Sequence, residues 1–79
     1  MESITRNDVK LLNFLKQNGP SMRKDIEESI GMDKSSIHNA IQRMFIHEAI
    51  KIVATKGPGS PQKISLTKYG EQIVKVVKL

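Results

Sequence analysis

Short hydrogen-bonding side chains cluster in the middle of this sequence, between residues 34 and 45. Asn and Gln match the hydrogen-bonding edge of adenine, Arg matches guanine or a phosphate, and Ser can bond either base. No acidic residue occurs from Lys34 to Ile46, whereas a merely solvated helix face usually carries both Glu and Lys. The composition therefore favours a surface that contacts DNA bases over an ordinary polar face. The candidate residues are Lys34, Ser35, Ser36, His38, Asn39, Gln42 and Arg43.

Two short helices joined by a tight turn would have to position these side chains. Apolar residues recur at every fourth position of the first of them, at Met22, Ile26 and Ile30, so they share one face. Ser21 is expected to cap the start of this helix, and Gly31 is expected to end it in a left-handed conformation. The pattern predicts a helix-turn-helix over about residues 21–48.

The second helix, about residues 34–45, is the one predicted to enter the DNA major groove. Asp33 can cap its first turn and places negative charge at the positive end of the helix dipole. At 100° per residue, Asn39, Gln42 and Arg43 lie about 200°, 140° and 240° from Ile37, so all three are expected to point outward. The predicted core face consists of Ile37, Ala40, Ile41 and Met44.

A β-hairpin is predicted after the helix-turn-helix, over about residues 50–66. The strands Ile50–Thr55 and Gln62–Leu66 flank a segment with two glycines and two prolines. Lysines give this hairpin a positive rim, and its tip has no acid, which favours contact with phosphates or the minor groove. The alternative is that the lysines only protect exposed strand edges. The candidate residues of the turn and hairpin are Arg23, Lys51, Lys56, Gly57, Ser60 and Lys63.

Helices are also predicted at both ends of the chain. The first is expected to begin after Thr5 or Asn7 and to end near Gln17. The last is expected to be capped by Thr67 and to extend from Lys68 to about residue 78. Its apolar stripe would consist of Tyr69, Ile73, Val76 and Val77.

Two further expectations concern apolar side chains. Val74 falls outside the stripe of the last helix and is expected to help hold a homodimer together. Phe45 and Tyr69 are expected in the core rather than on the surface.

The net charge of +5 is unevenly distributed along the chain. Residues 1–33 hold five basic and six acidic side chains, a balance of −1, and residues 34–79 hold eight and two, a balance of +6. The positive potential therefore begins where the predicted groove-binding helix begins. Basic surfaces of this kind attract phosphate backbones.

Several classes of function lack their sequence signals. There is no Cys, and His38 and His47 have no neighbouring acidic cluster, so no metal site is expected. No paired carboxylates, nucleophile–base set or phosphate-binding glycine motif occurs, so we expect neither an enzyme nor a cofactor. No small-molecule ligand is evident, and no apolar run approaches the roughly 20 residues that span a bilayer. The expected location is the cytoplasm, in association with the nucleoid.

The order helix-helix-helix-strand-strand-helix resembles the winged helix-turn-helix of small MarR-, ArsR- and PadR-like transcriptional regulators. The resemblance extends from about residue 6 to residue 78. The segments that carry it are Leu11, Leu12 and Leu15, Arg23–Ile26, Gly31–Ile37, Arg43-Met44, Glu48–Ile50 and Ile64–Gly70. Ala49 stands where these families often have Gly before the first strand of the hairpin. The preceding helix is therefore expected to end differently or to run on into Ile46-His47.

The resemblance implies a mainly α fold with a small β-hairpin, an α+β winged helix-turn-helix formed as a single domain by residues 1–79. It implies a minimal DNA-binding protein, and the first hypothesis is a dimeric, sequence-specific regulator of transcription that binds double-stranded DNA. Two alternatives remain open at this point. One is a winged-helix module that docks onto other proteins, for which exposed apolar anchors would be expected. The other is a replication or RNA-binding accessory domain, for which stacking aromatic residues would be expected.

Overall fold

The computed structural model describes residues 4–54 and 62–76, and this part of the chain forms helices and a three-stranded antiparallel sheet. The elements are α1 (Arg6–Asn18), β1 (Ser21–Met22), α2 (Arg23–Ile30), α3 (Lys34–Ile46), β2 (Ile50–Ala54), β3 (Gln62–Leu66) and α4 (Lys68–Val76). The predicted fold class and element order are confirmed, with β1 as an addition. The tip between β2 and β3 and the predicted end of α4 beyond residue 76 lie outside the described residues.

The sheet brings a distant part of the chain to the hairpin. Its strand order is β1-β3-β2, with Ser21 opposite Ile64 and Ile50 opposite Leu66. The two-residue strand β1 was not predicted, because two residues carry no alternating pattern and its partner lies some forty positions away in sequence. It ties the start of the helix-turn-helix to the hairpin.

The prediction that Ser21 caps α2 is wrong. Ser21 pairs within the sheet, and its Oγ donates a hydrogen bond to the carbonyl oxygen of Gly19 at 2.9 Å. The residue before α2 is Met22, which provides no side-chain cap. The pairing with β3 thus overrides the local capping preference of a serine.

The other predicted helix ends are confirmed. Thr5 caps α1 in a capping box with Asp8, and Asp33 accepts a hydrogen bond from the backbone of Ser36 at the start of α3. Gly31 ends α2 with a φ of 80°, in the left-handed region where glycine is favoured. Thr67 accepts a hydrogen bond from the backbone N–H of Gly70 in the first turn of α4, at 3.1 Å.

The end of α3 adopts a left-handed residue at Glu48, although the chain lacks the glycine expected there from the resemblance. The helix runs on to Ile46, as expected from Ala49, and Glu48 takes the left-handed conformation with a φ of 62°. The backbone N–H of Ala49 then donates to the carbonyl oxygen of Met44 at 2.8 Å. This bond closes the helix in a Schellman-like arrangement.

The core lies between α1, α2, α3 and the inner face of the sheet. It is formed by Leu11, Leu12, Leu15, Ile26, Ile37, Ala40, Ile41, Met44, Ala49, Ile50 and Ile64. Phe45 and Tyr69, expected in this core, are instead 48% and 40% exposed. Both side chains therefore lie at the surface, and the buried core contains no aromatic residue among the described ranges.

The predicted apolar stripe of α4 is confirmed at Ile73 but not at Tyr69 and Val76, and its last member, Val77, lies outside the described residues. Gly70 is the buried residue of this helix, and both Ile73 and Val74 pack against the core. Val74 packs against the core of its own chain, so it needs no dimer partner to cover it, whereas Val76 is 82% exposed. A Cβ added at Gly70 would overlap the carbonyl oxygen of Ala49, so α4 approaches the backbone closely at that point.

Thr67 joins the end of α3 to the start of α4. Its Oγ1 donates to the carbonyl oxygen of Glu48 at 2.6 Å, and its backbone N–H donates to that of Ala49 at 3.1 Å. These bonds, together with the close packing of Gly70 on Ala49, hold the start of α4 against the turn that follows α3.

Candidate nucleic-acid interface

The outermost polar residues of α3 form a line along the helix. Ser35, Asn39 and Gln42 are all exposed and follow one another at a spacing of four and three residues, so they share one face. The opposite face is buried, with Ile37 and Ala40 fully inaccessible. We call Ser35, Asn39 and Gln42 the reading stripe. Short amide and hydroxyl groups on an exposed helix can bond the edges of bases in a major groove.

The prediction that Arg43 points outward like Asn39 is wrong. Its Nη2 lies 2.8 Å from Oδ1 of Asp8, and its Nε lies 3.1 and 3.2 Å from the two carboxylate oxygens. The Asp8 side chain is 1% exposed and that of Arg43 is 37% exposed. Arg43 is therefore engaged by α1, and we leave it out of the reading stripe.

Asp8 is the residue of this region that sequence reasoning missed. It closes the capping box with Thr5 by accepting from the backbone N–H of Thr5 at 3.1 Å, while it also holds Arg43. The spacing Thr5-x-x-Asp8 could have indicated the capping box. Nothing in the sequence links Asp8 to Arg43, which is 35 positions away.

The other flank of α3 contacts α2. Nη2 of Arg23, at the first position of α2, donates to Nδ1 of His38 at 2.7 Å, and Nε of Arg23 lies 3.4 Å from Oε2 of Glu27. Arg23 and His38 were predicted as separate contact residues. The structure brings them together on the exposed side of the helix-turn-helix.

Ser36 serves the start of α3 rather than the reading stripe. Its Oγ donates to Oδ1 of Asp33 at 2.6 Å, and its backbone N–H donates to Oδ2 at 3.3 Å. These two hydrogen bonds, the side-chain bond foremost, lower the pKa of the Asp33 carboxyl below its ordinary value of 3.8. Lys34, beside them, is exposed.

The hairpin, which we call the wing (residues 50–66), carries exposed lysines on its outer face. Lys51 lies opposite Ser65, and Lys63 lies opposite Val53, so all four side chains are on one side of the sheet. Together with Pro20 they surround a shallow depression. The remaining predicted residues of the wing, Lys56, Gly57 and Ser60, lie outside the described residues.

A second surface was not predicted at all. Phe45 and Ile46, the last residues of α3, are 48% and 71% exposed and lie beside Tyr69 in an open depression. Lys51 and Lys68 are at its edge. We call Phe45, Ile46 and Tyr69 the apolar patch. Exposed apolar anchors of this kind are what a docking module is expected to show.

Two features of other kinds of protein are absent from the described ranges 4–54 and 62–76. No helix there is both long enough and apolar enough to cross a membrane. No group of three or more His, Cys, Asp or Glu side chains within those ranges is placed to hold a metal ion.

Comparison with known proteins identifies the fold. No protein-family model matches the chain, and no curated protein matches its sequence. The PcaV transcriptional regulator from Streptomyces coelicolor has a similar structure, with a TM-score of 0.84 and 20% identity over 94% of this chain and 54% of that one. A MarR family protein from Bacillus stearothermophilus gives a TM-score of 0.81 and 19% identity, over 95% and 51% of the two chains.

A third similar structure is BpsR from Bordetella bronchiseptica, whose DNA binding is regulated by 6-hydroxynicotinic acid. Its TM-score is 0.83 and its identity 16%, over 95% of this chain and 53% of that one. The chain spans about half the length of these structures. The likeness shows a winged helix-turn-helix fold, and its structural neighbours are transcriptional regulators, among them a MarR family protein.

Proposed function

We propose that this chain binds double-stranded DNA sequence-specifically and regulates transcription, with α3 in the major groove. The observation that carries the proposal is the reading stripe, which is exposed on a helix whose opposite face is buried. Two amides and a hydroxyl at this spacing can reach successive base edges, and amides can bond adenine in two places. A winged helix-turn-helix commonly places this helix in the groove.

The wing is proposed to contact the DNA backbone or the minor groove. Lys51 and Lys63 project from the outer face of the sheet, and the residues from 34 onward carry most of the positive charge. Phosphate contacts of this kind orient a protein on the duplex without selecting a sequence. About three to six such contacts per subunit would make binding weaken steeply with salt.

The protein is further proposed to act as a homodimer in the cytoplasm, in association with the nucleoid. Two copies would bind half-sites about one turn of B-DNA apart, roughly 10 base pairs. Among the described residues, Val76 is a strongly exposed apolar residue near the end of α4 and supports such a contact. The proposal requires neither catalysis nor a cofactor nor a small-molecule ligand.

A second candidate, a docking module for another protein, is favoured by the apolar patch. Exposed aromatic and aliphatic residues that lie together are typical anchors of protein interfaces. The patch lies at the C-terminal end of α3, so a partner seated there would leave the reading stripe uncovered. The two candidate functions therefore make separate predictions for separate residues.

The experiment is a selection of bound duplexes from random DNA, followed by affinity measurements on the selected and a scrambled duplex. Asn39→Ala and Gln42→Ala should each reduce the preference for the selected duplex by about 1–3 kcal/mol at one base position. Gln72→Ala, which changes another exposed glutamine, on α4, is the matched control and should leave the preference unchanged. Thermal unfolding of each variant verifies that the fold is retained.

A failure of the selection to enrich any sequence would contradict specific DNA binding. If a sequence is enriched but both reading-stripe variants keep full preference for it, α3 does not read the bases. Phe45→Ser, which alters the apolar patch, should leave DNA preference intact. Loss of binding to another protein in that variant alone would support the docking module.

A further inference from the structure

The contact between Arg23 and His38 determines which ring nitrogen of His38 carries the proton, in addition to the positions of the two side chains. A guanidinium has five N–H donors and no acceptor, and it stays protonated in proteins. Nδ1 of His38, 2.7 Å from Nη2 of Arg23, must therefore accept the hydrogen bond. A ring nitrogen that accepts carries no proton, so the neutral imidazole has its proton on Nε2.

Glu27 fixes the direction from which Arg23 approaches. Nε of Arg23 lies 3.4 Å from Oε2 of Glu27, one helical turn further along α2. Nη2 carries two N–H groups, so it can donate to His38 while Nε on the same planar guanidinium lies beside the carboxylate. Glu27 is half-buried while Arg23 and His38 are exposed, so the arrangement is anchored on its inner side.

We propose that Arg23 is a positioning residue that makes His38 a fixed hydrogen-bond donor, and that His38 is a specificity-determining residue in the major groove. The assignment rests on the proposed DNA-binding function. His38 lies one residue before Asn39 of the reading stripe, on the flank of α3 that faces α2. Its Nε2–H lies on the far side of the imidazole ring and points away from the Arg23 guanidinium.

A donor of this kind distinguishes between bases. Guanine offers two acceptors in the major groove, O6 and N7, thymine offers O4 and adenine offers N7, whereas cytosine offers only an amino donor. His38 is therefore expected to favour guanine, thymine or adenine at the base that it meets and to disfavour cytosine there. Arg23, already engaged with Glu27 and His38, acts on the base through the imidazole and not as a phosphate contact.

The first measurement tests the tautomer without DNA. Long-range proton–nitrogen correlation spectra of protein with ¹⁵N-labelled histidine, recorded at a pH well above the usual histidine range, show which ring nitrogen is protonated. His38 is expected entirely as the Nε2–H form, and Arg23→Ala is expected to give a mixture of both forms. A His47→Gln variant assigns the two histidine signals. A protonated Nδ1 in the wild-type protein would overturn the proposal.

The second measurement is binding to duplexes that differ at one base pair of the selected site. His38→Ala and Arg23→Ala should each reduce discrimination at the same base pair by about three- to tenfold, the range of one net hydrogen bond. Lys24→Ala, the exposed neighbour of Arg23, removes the same charge without touching His38 and is the matched control. It should leave discrimination unchanged.

The outcomes separate this inference from the function on which it rests. If the wild-type protein selects no sequence, the proposed function fails, whatever the tautomer of His38. If it selects one but His38→Ala lowers the affinity for all duplexes equally, His38 contacts a phosphate oxygen and the inference fails alone. If Arg23→Ala behaves like Lys24→Ala in every duplex, Arg23 is an ordinary phosphate contact, which also overturns the proposal.

Discussion

Arg43 and Asn39 are four residues apart on the same helix, yet they belong to two different regions of the molecule. Arg43 is anchored on a buried carboxylate of α1, whereas Asn39 is exposed and lies in the reading stripe. The helical angle placed both of them away from the core. The difference teaches that the angular position of a residue on one helix predicts only whether its side chain faces the core. Whether an outward polar side chain is available to a ligand depends on its contacts with neighbouring helices.

The largest expected effect concerns Arg43→Ala, which should destabilise the fold by about 2–3 kcal/mol, less than for a fully buried ion pair because the Arg43 side chain is 37% exposed. The substitution leaves the Asp8 carboxylate buried without its ionic partner, which is costly. Urea unfolding measures the change. In the double variant Arg43→Ala with Asp8→Asn no buried charge remains, so the loss should be smaller. An Arg43→Ala cost below about 0.5 kcal/mol, typical of surface positions, would show that the two regions do not differ.

Thr67→Val tests whether the far end of α3 is anchored in the same way. The variant loses the bond to the carbonyl oxygen of Glu48 and the cap of α4 while keeping a similar side-chain volume. The expected cost in unfolding free energy is about 1–2 kcal/mol. Thr67→Ser retains the hydroxyl and serves as the control. Equal stability of the Val and Ser variants would indicate that the hydroxyl does not hold the junction.

The residues that contact distant parts of the chain mark the limit of what could be predicted from the sequence. Apolar spacing located α1, α3 and the wing strands, and the caps at Thr5, Asp33 and Thr67 followed from local hydrogen-bonding chemistry. The pairing of Ser21 with Ile64 and the ion pair of Asp8 with Arg43 join positions distant in sequence. No local periodicity contains such pairings, so β1, the role of Asp8 and the exposure of Phe45 were not predictable from it.

The lysines of the wing test the comparison through DNA binding rather than through stability. Lys51→Ala and Lys63→Ala should each weaken binding to selected and scrambled duplexes by a similar factor, because phosphate contacts carry little sequence information. The slope of log affinity against log salt should fall by about one in each variant. Lys75→Ala, exposed on α4, provides the control. A changed base preference in either wing variant would make the wing a base-contacting element.

The smallest effect is expected at Asp33, which caps the start of α3. Asp33 stabilises the helix although it lies next to the reading stripe. Hydrogen bonds from Ser36 lower the pKa of Asp33 in the folded protein below 3.8. The charged form is therefore stabilised by folding, so this contribution is present above pH 3.8 and is lost as the pH falls through the lowered pKa.

The variant Asp33→Asn keeps a capping side chain but removes this charge. Its stability deficit relative to the wild type should be present at neutral pH and should shrink in acid, as followed by thermal unfolding over a pH series. A deficit that stays constant down to the lowest pH would mean that the charge of Asp33 does not contribute.

Methylation interference on the selected duplex tests the central claim most directly, because it reports the groove that is contacted. A methyl group on guanine N7 lies in the major groove, and one on adenine N3 lies in the minor groove. With α3 in the major groove, N7 methylation within the site should block binding, and Asn39→Ala or Gln42→Ala should relieve the interference next to the base that each contacts. Selective binding that tolerates N7 methylation throughout the site would contradict the account.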